Sequence, residues 1–280
     1  MTAGPAGASP TTMTEPGRTT AEPVDLAFSE TGAGPPLVIL PGLFGSKRNW
    51  ASLARMLGGR HRVLTADLRN HGESPWAEPH DYPAMAGDVA RLIETAVAGP
   101  ANVLGHSMGG KAAMMLALER PDLVTRLVVL DIAPVVSTGT PKSSIRAMRA
   151  LPLERFTRRS EVADALADAI PDRGVRSFLS LNATAGEAGL SWSLNLAALE
   201  HDFESILGFP EIPPGRSFPG PTLFLGGGRS DYLRPEHRPE IERLFPAARI
   251  EMIPDAGHWV HADAPEAFVA AVNRFLDGPA

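Results

Sequence analysis

Apolar residues fall along this chain in short unbroken runs, each closed by small or polar residues, with amphipathic stretches in the gaps. Pro36-Leu37-Val38-Ile39-Leu40, Arg62-Val63-Leu64-Thr65-Ala66-Asp67, Asn102-Val103-Leu104 and Leu127-Val128-Val129-Leu130-Asp131-Ile132 are such runs. A run of this kind marks a strand covered on both faces, as in a parallel sheet. Thr222-Leu223-Phe224-Leu225 and the stretch 249–253 add two more strands near the end of the chain. At the start, Val24-Asp25-Leu26-Ala27-Phe28 alternates like a first strand, followed by a turn at Thr31-Gly32-Ala33-Gly34. Between the runs, apolar positions recur at helical spacing over 49–57, 81–98, 111–118, 235–245 and 265–276.

Strands alternating with helices predict an α/β fold, a mostly parallel sheet with helices on both faces. From about Pro134 to Gly220 the strand signal stops. Short amphipathic patterns such as 160–170 and 175–181 take over, with Pro at 141, 152 and 171. This segment reads as a helical insert, a cap over the carboxyl edge of the sheet. The expected layout is a core of 24–133 and 221–280, a cap at 134–220, and a disordered tail over 1–23 rich in Pro, Gly, Thr and Ala.

Composition narrows the functional classes. At 280 residues and 44% hydrophobic, the chain has enough apolar surface for one large domain with an insert. The net charge is −6 and no basic stripe appears, which argues against a nucleic-acid partner. With no cysteine, disulfides, thiolate catalysis and zinc-thiolate sites are all removed. The tail lacks the basic start and apolar segment of a signal peptide, and no run approaches the roughly 18 apolar residues of a membrane span. The expectation is a cytoplasmic protein, monomer or homodimer, acting on a small molecule with no membrane partner.

The chemistry gathers where the strands end, which is where ligands bind in such sheets. The strand at 102–104 runs into Gly105-His106-Ser107-Met108-Gly109-Gly110, and a helix pattern begins at once. Strand, tight turn and helix form the context of a nucleophile elbow, with Ser107 as nucleophile; the competing reading is a serine that caps a helix. A serine hydroxyl needs an adjacent base oriented by a third group. Late in the chain, Gly257-His258-Trp259 follows a strand and supplies His258 as the base; His261 is the weaker candidate. His71 is a candidate for the pocket wall, His106 packs beneath the elbow, and His61, His80, His201 and His237 read as surface residues. For the acid, Asp131 and Asp231 both stand at strand ends, and the residues alone do not choose between them. Acyl chemistry also needs N–H donors for an oxyanion, which the backbone of Met108 and Leu43 can supply.

Taken together, these residues resemble the α/β-hydrolase superfamily, and within it the short-chain esterases related to mammalian α/β-hydrolase-domain proteins. The likeness runs from about Pro36 to Leu276. It rests on Gly-Leu-Phe-Gly-Ser at 42–46, Asp-Leu-Arg-Asn-His-Gly-Glu-Ser at 67–74, Gly-His-Ser-Met-Gly-Gly-Lys at 105–111 and Asp-Ile-Ala-Pro-Val at 131–135. Trp192-Ser193-Leu194-Asn195-Leu196 and Ala-Gly-His-Trp-Val-His at 256–261 complete it. The resemblance implies a carboxylesterase for small acyl esters that needs neither cofactor nor metal. It favours Asp131 as the acid, because relatives often have Ser where Ser230 stands, and it leaves Asp231 as the alternative. Thioesterase or cofactor-free haloperoxidase chemistry would use the same triad, and a binding module would need a damaged one. One departure is Pro41, where the superfamily usually has a His that supports the oxyanion loop. Phe178, Leu181, Trp192, Leu194, Leu196, Phe203 and Phe209 are candidates to line an acyl pocket for short to medium chains, against the simpler reading that they pack the cap.

Overall fold

Seven strands make one sheet, and their ends carry the site. In this computed structural model residues 21–137, 142–186 and 189–278 are described. In chain order the core runs β1 (Phe28–Thr31), β2 (Pro36–Leu40), α1 (Ala51–Leu57), β3 (Arg62–Ala66), α2 (Tyr82–Leu92), β4 (Ala101–His106), α3 (Met108–Glu119) and β5 (Val124–Leu130). There follow α4 (Lys142–Ala150), α5 (Arg159–Ala165), α6 (Arg173–Ser180), β6 (Ala183–Gly186), β7 (Gly189–Trp192), α7 (Leu196–His201) and α8 (Phe203–Leu207). The chain returns to the sheet with β8 (Thr222–Gly227), α9 (Arg238–Leu244), β9 (Ala248–Ile253), α10 (Val260–Asp263) and α11 (Pro265–Leu276). Strand order is β1-β3-β2-β4-β5-β8-β9; β1 pairs antiparallel with β3 and every other pairing is parallel.

Alternation along β2 divides the core. Leu37 and Ile39 pack with Leu53 and Leu57 of α1 and with Phe268 and Val272 of α11. Val38 and Leu40 pack with Met85 and Val89 of α2 and Met114 and Met115 of α3. Successive side chains of a strand face opposite ways, so a continuous apolar run feeds two cores. In α3 every residue from Met108 to Leu118 is buried, which is why its sequence shows no polar face. Each large apolar side chain so buried contributes roughly 1.5–3 kcal/mol.

Two elements differ from the expectation. The first strand begins at Phe28, not Val24, and its residues are mostly exposed. It is an edge strand, so the alternation at 24–28 reflects Leu26 entering the core ahead of the ladder. Within 134–220 the helices are interrupted by a hairpin, β6 with β7, in which Ala183 pairs with Trp192 and Gly186 with Gly189. Most of the tail expected at 1–23 lies outside the described residues. Among the described residues no helix is long and apolar enough to cross a membrane.

Candidate active site

β4 ends at His106 and α3 starts at Met108, which leaves Ser107 alone in the turn at φ 53°, ψ −119°. A non-glycine residue held there costs on the order of 1–3 kcal/mol, so its surroundings must fix it. They do so by contact. A Cβ on Gly105 would stand 2.1 Å from the Gly109 carbonyl oxygen, and one on Gly109 2.2 Å from that of Leu40. Only glycine lets the helix start this close to β2 and β4. The Ser107 N–H donates to the Leu130 carbonyl at 3.0 Å, tying the turn to β5.

His258 enters from the loop after β9. Its Nε2 lies 3.1 Å from Ser107 Oγ and its Nδ1 2.7 Å from Asp131 Oδ2. A carboxylate only accepts, so Nδ1 carries the proton and Nε2 is left to accept from the serine hydroxyl. His106 Nε2–H donates to the His258 carbonyl at 2.9 Å, and the Tyr232 ring stacks on the His258 imidazole at 4.0 Å between centroids. Burial pushes His106 and His261 down, His261 to about 3, so both stay neutral and add no charge beside His258.

Asp131 follows β5, fully buried, at φ 50°. A buried carboxylate is tolerated only when donors surround it. Here Oδ1 accepts from the Gly227 N–H at 2.9 Å, and Oδ2 accepts from Ser230 Oγ and from His258. Asp231 stands apart: its side chain is 81% exposed and ion-pairs with Arg234 at 3.1 Å. Thus Ser107, His258 and Asp131 come together, and Asp231 does not join them.

Above Ser107 is a cavity of about 300 Å³. Gly42, Leu43, Phe44 and Gly45 form one wall, and Val175, Phe178 and Leu179 of α6 another; Tyr232, Trp259 and His261 also reach it. A Cβ on Gly42 would stand 3.1 Å from that of Ser107, so this loop approaches the elbow closely. As the first residue of α3, Met108 presents an N–H with no intrahelical acceptor. Leu43 is the other predicted donor. Among the described residues no group of three His, Cys, Asp or Glu side chains could hold a metal.

Several residues lie elsewhere than the sequence suggests. Of the seven candidate pocket residues only Phe178 lines this cavity. Leu194, Leu196 and Phe203 are core residues, Trp192 and Phe209 pack against the core, and Leu181 is 46% exposed. His71 does not line the cavity either; it is buried behind the 42–45 loop. His61 and His80 are buried, not superficial, beside Asn273 and Asn70 respectively. Val175 and Leu179 were missed, although their spacing from Phe178 marks one face of α6.

The protein-family model of the alpha/beta hydrolase fold matches residues 35–265. The sn-1-specific diacylglycerol lipase ABHD11 of Mus musculus is 45% identical, over 86% of this chain and 81% of that protein. Esterase YbfF of Escherichia coli is 36% identical, over 86% of this chain and 93% of its own length. A solved marine microorganism esterase superposes with a TM-score of 0.85 at 36% identity, covering 90% of this chain and 99% of the other. The parallel sheet, the helices on both its faces and a family match across most of the sequence agree: the chain belongs to the α/β-hydrolase-fold family.

Proposed function

We propose that the protein is a serine carboxylesterase that hydrolyses small acyl esters through an acyl-enzyme. Ester hydrolysis is supported by relatives named esterase and lipase that align over most of their length. The observation that carries the mechanism is the continuous relay from Ser107 Oγ through His258 to Asp131, at 3.1 and 2.7 Å.

Ser107 Oγ attacks the ester carbonyl carbon while His258 Nε2 takes its proton. The carbonyl oxygen becomes an oxyanion, held by the N–H groups of Leu43 and Met108, each donor worth about 10²–10³ in rate. The tetrahedral species collapses: the C–O bond to the alcohol breaks, and His258 returns the proton to the leaving oxygen. Water then attacks the acyl-enzyme, giving its proton to His258, and collapse releases the acid and restores the Ser107 hydroxyl. Through both steps Asp131 fixes the imidazole and stabilises its charged form.

A cavity of about 300 Å³ sits at the low end of ligand pockets, about 300–1,000 Å³, which favours short to medium acyl chains. Because α6 supplies part of its wall, we assign 134–220 the role of a cap that selects the acyl group. Hydrolysis of p-nitrophenyl butyrate by wild type beside Ser107→Ala tests this reading. Turnover lost in the variant is expected. Wild type with no serine-dependent turnover overturns it, and rates that climb steadily to long acyl chains overturn the pocket assignment alone.

A further inference from the structure

The oxyanion loop closes on itself through one backbone hydrogen bond. Gly45 N–H donates to the Gly42 carbonyl at 2.8 Å, closing a tight turn over Leu43 and Phe44. In a trans peptide the C=O and N–H point opposite ways. Holding the Gly42 carbonyl inside the turn therefore turns the Leu43 N–H outward. Phe44, the third residue of the turn, has φ 64°, where glycine is the usual occupant. A side chain there costs roughly 1–2 kcal/mol, and Pro41 offers no polar side chain or N–H to offset it.

Both polar groups of Phe44 are held from outside the loop. Its N–H donates to His71 Nε2 at 3.2 Å, and its carbonyl accepts from Asn182 Nδ2 at 2.9 Å. His71 and Asn182 are almost completely buried, so little water competes for either bond. His71 is itself fixed: its Nδ1–H donates to the Arg69 carbonyl at 3.0 Å, which leaves Nε2 as the acceptor. Arg69 is anchored in turn by two 2.6 Å bonds to the buried Asp88. Burial also lowers the His71 imidazole, which keeps the neutral ring that can accept. Asn182 comes from the other side, in the segment between α6 and β6.

We propose that His71 and Asn182 are positioning residues that clamp the Phe44 backbone and so aim the Leu43 N–H at the oxyanion. The inference rests on the esterase reading and names what holds its second donor in place. Neither side chain touches the substrate. Their effect falls on the transition state, in which the oxyanion exists, far more than on substrate binding.

The test compares His71→Leu, His71→Gln and Asn182→Leu with wild type and Ser107→Ala, using p-nitrophenyl butyrate and a trifluoromethyl ketone that forms a tetrahedral adduct with the serine. His71→Leu is expected to lower kcat about 10- to 100-fold, less than outright loss of a donor, with KM little changed. Ketone affinity falls by a similar factor. His71→Gln restores an acceptor and recovers most of the loss, which a merely structural role for the ring would not produce. Should His71→Leu fail to fold, Asn182→Leu is read by the same kcat, KM and ketone criteria. Serine-dependent turnover with kcat and ketone affinity near wild type in folded His71→Leu or Asn182→Leu overturns this inference alone. So does a loss that His71→Gln does not recover. Wild type without serine-dependent turnover overturns the esterase reading, and this inference with it.

Discussion

Two tight turns lie side by side at the cavity, and each holds a non-glycine residue at positive φ. The elbow holds Ser107 through its own neighbours: glycines at 105 and 109 let backbone pack on backbone, and β5 accepts its N–H. The oxyanion loop holds Phe44 through side chains 27 and 138 residues away in sequence. The elbow's contacts are backbone contacts within the sheet and the helix that follows it. Contacts drawn from β3's loop and from the 134–220 segment depend on how those parts dock. The proposed nucleophile is thus built into the sheet, and the proposed oxyanion loop is assembled around it.

The largest effect is expected at the proposed triad. Asp131→Asn is expected to lower kcat by about 10⁴ through the wrong imidazole tautomer, with Asp231→Asn close to wild type. A larger loss in Asp231→Asn than in Asp131→Asn, measured on the same ester, would return the acid to Asp231. Next comes Gly109→Ala, whose Cβ would stand 2.2 Å from the Leu40 carbonyl oxygen. A misplacement of about 1 Å at the elbow costs on the order of 10² in rate, and the thermal midpoint should fall as well. If the variant keeps both activity and midpoint, the elbow is not held by close packing. The clamp variants of His71 and Asn182 then fall at or below this effect, since they displace a donor without displacing the nucleophile.

A smaller effect is expected from Ser230→Ala, which removes one of the three donors to Asp131. Loss of a hydrogen bond to a charged group predicts about a tenfold fall in kcat, with KM unchanged. An undiminished kcat would show that Gly227 and His258 suffice.

Lys111, on the elbow's helix, is buried and donates to Ser137 Oγ at 2.8 Å and to the Leu207 and Gly208 carbonyls at 2.7 Å each. Burial lowers its amine to about 7. The unfolded chain, with an ordinary lysine near 10.4, binds more protons between those values, so stability should rise with pH from about 7 to 10. Urea midpoints at pH 6.5 and 9 are expected to differ more in wild type than in Lys111→Met. The same slope in both would remove Lys111 from the account.

The legibility of the fold follows the same division. β2, β3, β4, β5 and β8 were readable because buried parallel strands need unbroken apolar runs. The elbow was readable because its turn requires glycines at fixed offsets from the serine. Ser107, His258 and Asp131, named from strand ends and resemblance, stand within hydrogen-bonding distance in sequence-distant loops. What was not readable depends on tertiary docking. His80 sits among polar and Pro residues, and it is buried in tertiary packing that includes His71, Asn70 and Asp202. The aromatic residues of 134–220 gave no sign of whether they faced core or cavity. Phe44 carried no mark of its left-handed backbone, because its cause lies in His71 and Asn182.

The borders of the sheet have a consequence for how copies of this chain meet. A bare strand edge is a template for another strand, and charge or shortness blunts it. β1 spans four residues and carries Glu30, paired with Arg62 at 2.8 Å. At the opposite border, β9 carries Arg249 and Glu251, the latter paired with Arg274 at 2.6 Å. Growth of the sheet from one molecule into the next is disfavoured at both ends.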